Sequence, residues 1–252
     1  MARQETDTPL MQRLWDVPAA LVLLTRLPLP PLPDHAFTNG ARAVWAYPLV
    51  GLGLGAIISV ICWGAALVLP PMIVAGLVLG ALVLLTGAMH EDGLADTADG
   101  LWGGNDPARR LEIMKDSRIG AYGVLALILV MGLRWLGIAD VGVGALVAAL
   151  VISRALMTPL MLALPHARDT GLAHSVGRPD TGAVIVAVLI AALCALILAG
   201  GAGLVALIIA SGVAAGMGAL ARAKIGGQTG DILGATQICT EIAVLLTLTA
   251  LT

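Results

Sequence analysis

Apolar residues are concentrated in seven long stretches, and short polar connections separate them along the chain. A helix of about 20 apolar residues crosses the hydrocarbon core of a bilayer, so each stretch predicts a transmembrane helix. The predicted spans are residues 46–69, 71–89, 120–138, 141–164, 182–199, 201–220 and 232–251. The pattern therefore predicts an all-α fold, a polytopic integral membrane helical bundle with about seven transmembrane helices.

The segment before the first span, residues 1–45, has a different pattern. Residues 14–27, LWDVPAALVLLTRL, are apolar but too short to cross a bilayer, so we expect an interfacial helix there. LPLPPLP (27–33) then interrupts regular structure, because proline fixes φ and lacks an N–H donor. No apolar core followed by a small-residue cleavage site is present, so no separate signal peptide is predicted.

Composition excludes an ordinary soluble domain. Hydrophobic residues make up 59% of the 252 positions and charged residues 12%, whereas a soluble domain has roughly 45–50% and about 25%. The three cysteines each lie inside an apolar stretch and form no CxxC pair. Neither a disulfide framework nor a cysteine metal site is therefore predicted.

Basic residues lie almost entirely on alternate connections. Twelve of the fourteen Lys and Arg residues fall on the N-terminal segment and on loops 90–119, 165–181 and 221–231, while the connections at 70–71, near Asp140 and at 200 have none. The positive-inside rule places the basic side in the cytoplasm. We expect a cytoplasmic N-terminus, an outside C-terminus, and every long polar loop on the cytoplasmic face.

Four carboxylates lie within HEDGLADTADG (90–100), directly after an uncharged stretch. If residues 91–99 are helical, Asp92, Asp96 and Asp99 stand at i, i+4 and i+7 and share one face. Like charges on one face destabilise a helix unless a cation lies among them, and Mg²⁺ prefers carboxylate oxygens. A Mg²⁺ site for phosphoryl or nucleotidyl transfer and a solvated acidic loop are both compatible with this segment.

Two further polar stretches carry basic residues and glycines into a predicted span: RRLEIMKDSRIGAYG (109–123) and RAKIGGQTGD (222–231). Glycine-rich backbone entering a helix can present N–H groups to phosphate, so both predict phosphate binding. In the second stretch we expect Gly226, Gly227 and Thr229 to bind substrate. Neither stretch matches the P-loop pattern, so an ATP-hydrolysing motor is not indicated.

Charged residues inside predicted spans are candidate site residues. A charge within a span normally faces the protein interior or a water-filled cavity, so Arg154 is a candidate phosphate-binding residue. Arg134 lies near the outer end of its span, and we expect its side chain to extend to the interface. Glu241 needs a partner, which we expect to be the site or an arginine such as Arg154.

Six motifs together resemble the cobalamin synthase family, also called adenosylcobinamide-GDP ribazoletransferases. In chain order they are LLTRLPLP (23–30), YPLVGLGLGA (47–56), HEDGLADTADG (90–100), LEIMKDSRIGAYG (111–123), SRA (153–155) and GGQTGDILGA (226–235). The resemblance covers nearly the whole chain. The acidic block and the GGQTGD block are its most specific parts.

The resemblance implies a bacterial inner-membrane, Mg²⁺-dependent transferase. It would join adenosylcobinamide-GDP to α-ribazole or its 5′-phosphate and release GMP, late in vitamin B12 synthesis, within a single membrane-embedded catalytic domain over residues 1–252. Family positions carry over to catalytic Asp92, Asp96, Asp99 and Asp231, the first three as metal ligands, and to substrate-binding Lys115, Asp116 and Arg118. Glu91 stands at a usually apolar position, and Ile238 stands where an acid often precedes the final Glu.

Two other functions are weighed on the same residues. A CDP-alcohol phosphotransferase has an acidic membrane-face helix of the pattern DGxxAR…GxxxDxxxD, but DGLADTADG lacks its arginine and wider spacing. A cation transporter would carry its acids at mid-bilayer in broken helices, whereas these lie at a span boundary. The expected partners are small-molecule substrates and the lipid bilayer, with no nucleic acid and with an oligomer left open.

Overall fold

The computed structural model describes residues 13–37 and 40–251, and these ranges contain helices and no β-strand. The predicted all-α fold is therefore confirmed. The first twelve residues of the N-terminal segment, with Arg3, lie outside the described residues. The α-helices in chain order are α1 (Asp16–Leu24), α2 (Tyr47–Ala66), α3 (Pro71–Thr86), α4 (Met89–Gly103), α5 (Pro107–Ile113), α6 (Ala121–Asp140), α7 (Val143–Ala155), α8 (Met157–Ala163), α9 (Leu172–Val176), α10 (Thr181–Ile225) and α11 (Gly230–Leu251).

Membrane-compatible helices dominate the described chain. Five segments are long and apolar enough to cross a bilayer: Gly40–Ala66, Ala121–Asp140, Val143–Ala163, Thr181–Ile225 and Gly230–Leu251. Counting α3 and α4 together as one broken span gives six. The first segment joins α2 to a 3-10 helix, Gly40–Ala46, and the third joins α7 to α8.

The count falls below seven because two predicted spans, 182–199 and 201–220, lie in the single 45-residue segment α10. This segment is not one straight rod, because Gly200 inside it has non-helical angles of φ 59° and ψ −144°. A Cβ on Gly203 would collide with the carbonyl oxygen of Ala195. A straight helix would separate these positions by about 12 Å, at 1.5 Å per residue. The chain therefore folds back at Gly200, and the two arms of α10 correspond to the two predicted spans.

The predicted span 71–89 ends earlier than expected. Helix α3 stops at Thr86, and Gly87 and Ala88 both take left-handed φ angles, of 64° and 55°. The chain then turns by 86° into α4, which carries the acidic block. Positive φ is unusual for alanine, so this corner is a strained break rather than a gentle bend.

Two helical segments form the centre of the bundle. Of the most apolar 18-residue stretch, 83% is buried in Val143–Ala163 and 78% in Gly230–Leu251, whereas the share is 22–28% in the other three segments. The outer helices expose large apolar side chains such as Trp63, Leu129 and Ile208. An apolar exterior of this kind suits a lipid environment. Glycine contacts tighten the centre, because a Cβ on Gly51 of α2 would collide with the Leu150 carbonyl of α7.

The N-terminal helix is held against the bundle by polar contacts. Asp16 at the start of α1 accepts hydrogen bonds from Arg42 (3.0 and 2.9 Å) and from the Trp45 indole N–H (2.9 Å). The following proline-rich stretch has no regular structure until Asp34, as expected from its sequence. Helix α1, nine residues long, agrees with the short interfacial helix predicted for residues 14–27.

Candidate active site

The acidic block is helical, as predicted, and α4 carries all three aspartates of the predicted face. Their surroundings differ. Asp99 accepts hydrogen bonds from the backbone N–H groups of Gly120 (2.7 Å) and Gly123 (2.9 Å), one to each carboxylate oxygen. Asp92 and Asp96 accept no hydrogen bond or ion pair from the described part of the chain. The three aspartates therefore divide into one anchored and two free carboxylates.

Asp99 caps the N-terminus of α6, and this use was not foreseen from the sequence. The first N–H groups of a helix have no partner within it, and a carboxylate is favoured there. A Cβ at Gly120 or Gly123 would collide with the Asp99 carboxylate, so a larger residue at either position would displace that carboxylate. The glycines of SRIGAYG, expected to present N–H groups to phosphate, thus present them to Asp99. Each oxygen of Asp99 therefore accepts a backbone N–H group, unlike the oxygens of Asp92 and Asp96.

Asp96 is surrounded by other carboxylates. Burial and the nearby Asp92, Asp231 and Asp99 raise the pKa of Asp96 from 3.8 to about 7, and Arg168 opposes this shift. No three His, Cys, Asp or Glu side chains in residues 13–37 and 40–251 meet closely enough to form a metal cage by themselves. Two free carboxylates nevertheless match what Mg²⁺ takes from proteins, since it is usually held by one or two carboxylates, substrate phosphates and water.

These carboxylates lie where spans begin. Gly93 packs against the backbone of Asp231 in the first turn of α11, with an added Cβ only 3.0 Å from the Asp231 carbonyl oxygen. Asp99 meets the first turn of α6. Residues 93–99 therefore lie level with the ends of two membrane-spanning helices, and we place this part of α4 at the membrane surface, outside the spans.

Asp231 joins the acidic group from the GGQTGD motif. Its carboxylate forms an ion pair with Arg168 and accepts a hydrogen bond from Thr229 Oγ1 at 3.2 Å. Thr229 Oγ1 also accepts the backbone N–H of Ile232 at 3.3 Å, so it caps the start of α11. Thr229 was expected to bind substrate, and in the structure its hydroxyl is engaged by the protein itself.

The rest of the motif attaches the 164–168 loop to α11. Gln228 pairs with this loop through its backbone, donating to Pro165 O (2.8 Å) and accepting from Ala167 N (2.9 Å). Its side-chain amide donates to the carbonyls of Met161 and Leu164. Gly226 ends α10 with φ 81°, and a Cβ on Gly227 would collide with the Pro165 carbonyl oxygen. Both glycines, predicted to bind phosphate, thus have structural roles in chain reversal and close packing.

Arg168 is the functional candidate that sequence reasoning missed. It lies on the loop held by Gln228, and its guanidinium pairs with Asp231 beside the acidic helix. Nothing in its spacing marked it, although loop 165–181 was placed on the cytoplasmic side with only Arg168 and Arg178 as basic residues. Arg178 instead donates to the Leu162 carbonyl (2.8 and 2.6 Å).

Two cavities adjoin α4, and Asp92 lines both. The first, of about 150 Å³, combines apolar walls with three charged side chains. Its charged lining is Asp92, Arg168 and Asp231, and its apolar lining includes Leu23, Tyr47, Met157, Met161 and Leu172. The second, of about 510 Å³, lies between α4 and residues 114–119. The site is thus a pair of cavities on either side of an acidic helix.

The second cavity contains two of the three residues predicted in the 115–118 stretch. Lys115 and Asp116 line it together with Asp96. Arg118 is 87% exposed and forms an ion pair with Asp116 at 2.8 Å, which lowers the pKa of Asp116 to about 2. The structure therefore brings Lys115 to the site, whereas Arg118 points to solvent.

Arg134 is buried, which corrects the expectation that it extends to the interface. It is 3% exposed and bridges two carboxylates, Glu91 Oε1 at 2.5 Å and Glu241 Oε1 at 2.9 Å. Glu241 therefore pairs with an arginine, as expected, and that arginine is Arg134 rather than the suggested Arg154. Glu91, the departure from the family pattern on α4, has an ion-pair partner and faces away from solvent. A buried guanidinium is favourable only when such partners are present.

Arg154 does not reach the cavities. It is 1% exposed, and its Nη1 donates to the Leu150 carbonyl of its own helix at 3.0 Å. Its Nε has no partner in the described chain. Arg154 was predicted to bind phosphate, but the structure encloses it in the bundle because α7 lies at the centre of the fold. Arg154 lines neither of the two cavities beside α4.

The fold and the site define a class: a polytopic helical membrane protein with a carboxylate-rich site where its spans meet the surface. The family model described as cobalamin-5-phosphate synthase matches residues 16–249. The chain belongs to this family. Family membership therefore favours neither the CDP-alcohol phosphotransferase nor the cation transporter considered from the sequence. No solved structure matches the chain.

Similar proteins include three that are each called adenosylcobinamide-GDP ribazoletransferase. The protein of Bradyrhizobium diazoefficiens is 45% identical over 240 residues, covering 92% of each chain. That of Mesorhizobium japonicum is 42% identical over 243 residues, covering 93% of each. That of Brucella anthropi is 43% identical over 256 residues, covering 93% of this chain and 97% of its own.

Proposed function

We propose that this protein joins adenosylcobinamide-GDP to α-ribazole or its 5′-phosphate and releases GMP. Membership of the cobalamin-5-phosphate synthase family and the names of the similar proteins support this reaction. The observation that carries the proposal is the pair of free carboxylates: Asp92 lines both cavities, and Asp96 lines the second. A transfer between two substrates needs room on both sides of the reacting phosphorus, since nucleophile and leaving group lie roughly in line.

We propose Mg²⁺ as the cofactor, held by Asp92 and Asp96 together with substrate phosphate oxygens. The pKa of Asp96 is raised first by burial and then by the neighbouring carboxylates, and a bound cation would offset that negative charge. When bound, the ion supplies positive charge to the phosphate oxygens during transfer. Asp99 is omitted from this ligand set because two backbone N–H groups occupy it.

The chain's own residues complete the site in this proposal. Lys115 adds positive charge at the second cavity, which Asp96 also lines. The apolar walls of the first cavity suit the ring of a nucleoside and exclude bulk water from the acids. Phosphoryl transfer of this kind depends mostly on positioning and electrostatics, which these groups provide.

We propose a bacterial inner membrane as the location, with the site on the cytoplasmic side. The segments that meet at the site are residues 90–120, 164–172 and 226–231, and the charge pattern assigns the loops containing them to the cytoplasm. A cytoplasmic opening would give access to water-soluble substrates.

The test is product formation by the purified protein in detergent. Adenosylcobinamide-GDP and α-ribazole are incubated with and without Mg²⁺, and GMP and the joined product are quantified by chromatography. We expect equal amounts of both products, formed only with the metal. Arg109→Gln, which removes an exposed pair with Glu112, is the control for mutation itself. Absence of GMP from wild-type protein with all three components would contradict the proposal.

A further inference from the structure

Arg168 and Lys115 are basic side chains that line the cavities beside the carboxylate cluster. Arg168 forms an ion pair with Asp231 at the start of α11. It lines the first cavity together with Asp92 and Asp231. Lys115 lies in the second cavity, on the other side of α4. A phosphate entering the first cavity would therefore meet the guanidinium of Arg168.

The present partner of Arg168 is a carboxylate that shares its cavity. The side chains of Arg168 and Asp231 are 16% and 19% exposed, so the pair forms part of the cavity wall rather than the packed interior. Carboxylate and phosphate are both bound by the planar fork of arginine and compete for the same N–H groups. Asp231 keeps Thr229 as a second hydrogen-bond donor if Arg168 leaves it.

The backbone beneath Arg168 is held in place while its side chain faces the cavity. The neighbouring Pro165 and Ala167 pair with Gln228, whose side chain also bonds the preceding helix. Arg168 can therefore change partners by side-chain rotation, without movement of its loop. Fixed backbone and an adaptable side chain are the properties expected of a substrate-positioning arginine.

Building on the proposed function, we propose that Arg168 binds the diphosphate of the donor substrate by exchanging Asp231 for phosphate oxygens. The exchange releases the Asp231 carboxylate to accept a proton from the hydroxyl of the acceptor. The acceptor oxygen then forms a bond to the phosphorus attached to cobinamide, and the bridging P–O bond of the diphosphate breaks. GMP leaves with the bridging oxygen and its electron pair, and the proton remains on Asp231.

Binding of GMP alone tests the exchange without turnover. Its dissociation constant is measured by calorimetry in detergent for wild type, Arg168→Gln and Asp231→Asn. Arg168→Gln should weaken binding about tenfold to a hundredfold, the range for loss of a charge-assisted hydrogen bond. Asp231→Asn should bind GMP more tightly than wild type, because the competing carboxylate is gone. Equal or weaker binding by Asp231→Asn would overturn the exchange.

Kinetics separate the two roles. Arg168→Gln should raise KM for adenosylcobinamide-GDP more than it lowers kcat, and Arg168→Lys should recover part of the loss. Asp231→Asn should lower kcat about a hundredfold or more without raising that KM, as expected when a general base is lost. If Arg168→Gln does not fold, Arg168→Lys still tests the expected weaker GMP binding and Asp231→Asn the expected tighter GMP binding.

Failure of this inference is distinguishable from failure of the proposed function. If the wild-type protein turns over and Arg168→Gln has unchanged GMP binding and unchanged KM, the role of Arg168 is overturned and the reaction stands. Wild-type protein that makes no GMP would contradict the reaction. Whether Arg168→Gln binds GMP more weakly and Asp231→Asn binds it more tightly would still decide the exchange. Arg109→Gln should match wild type in each measurement, because its pair is exposed and neither Arg109 nor Glu112 lines a cavity.

Discussion

Asp92, Asp96 and Asp99 have the same side chain on the same helix, and their partners give them different roles. Asp99 meets two backbone N–H donors at the start of α6, and its charge is stabilised there. Asp92 and Asp96 meet other carboxylates and a cavity. A carboxylate with donors at both oxygens supports the fold, whereas one without donors is available to a cation or a substrate.

Because Asp92 has no hydrogen-bond donor in the described part of the chain, replacing it should lower activity without lowering the stability of the metal-free protein. Asp92→Asn should abolish most turnover and leave the metal-free melting temperature equal to or above that of wild type, because like-charge repulsion falls. The rise in melting temperature on adding Mg²⁺ should shrink, since a ligand stabilises in proportion to its binding to the native state. Thermal unfolding in detergent with and without Mg²⁺, alongside GMP release, measures both effects.

Asp99→Asn is the matched comparison on the same face of α4. An asparagine retains one acceptor oxygen for two N–H groups, so we expect a loss of about 1 to 2 kcal/mol of stability, typical of a removed helix cap. The Mg²⁺-induced rise should persist in this variant. An active Asp92→Asn protein with a full Mg²⁺ response would remove Asp92 from the metal site, and a lost Mg²⁺ response in Asp99→Asn would return Asp99 to it.

Asp96 predicts the pH dependence of the metal-free protein. Its pKa is raised from 3.8 to about 7, so between these values the folded protein holds a proton that the unfolded chain has released. The contribution of Asp96 to stability therefore falls as pH rises from about 4 to about 7 and is constant above that. The melting temperature of wild type minus that of Asp96→Asn should decrease across this window. A difference that stays flat or rises would contradict the assignment.

At the scale of elements, a charged bridge holds the first turn of α4 inside the bundle. Arg134 of α6 joins Glu91 of α4 to Glu241 of α11, and Gln237 donates to Glu241 at 2.7 Å and to Ser153 of α7 at 3.0 Å. Four helices therefore meet in one polar network beneath the acidic face. The network fixes where α4 lies relative to Asp231 at the start of α11.

Removing Arg134 should destabilise the protein more than removing either carboxylate. Arg134→Gln leaves Glu91 and Glu241 buried without a cation, and breaking a buried pair in this way costs about 3–5 kcal/mol. Glu91→Gln leaves Arg134 paired with Glu241, so the loss should be smaller. Thermal unfolding of both variants in the same detergent decides the order. If Arg134→Gln is as stable as wild type, the bridge does not hold α4.

At the scale of the whole molecule, loops that are far apart in sequence assemble at one end of the bundle. Residues 90–120, 164–172 and 226–231 meet around the two cavities. They are joined by helices and by the reversal at Gly200, which returns the chain to the same end. The alternation of basic loops in the sequence and the assembly of the site at one end agree with each other.

The membrane orientation is tested by fusing a cytoplasm-only fluorescent reporter to each end of the chain. The charge pattern predicts a bright N-terminal fusion. Four segments, the two arms of α10 counted separately, and the α3–α4 pair counted as one broken span make seven crossings. Seven crossings predict a dark C-terminal fusion. An alkaline phosphatase fusion, active only outside, should give the reciprocal result. A bright C-terminal fusion would mean an even number of crossings, and insertion of the reporter after Gly200 would then show whether α10 crosses twice.

The sequence by itself determined the helical membrane class, the helical acidic face and the glycine-rich motifs that mark the family. These features are local, because apolar length, charge alternation and residue spacing act within one segment. Which carboxylate is free, and which arginine reaches the cavity, was decided by tertiary structure. Asp99, Arg134 and Arg168 each take a partner more than twenty residues away, and an aspartate or arginine is stabilised or activated by the groups that meet it in space.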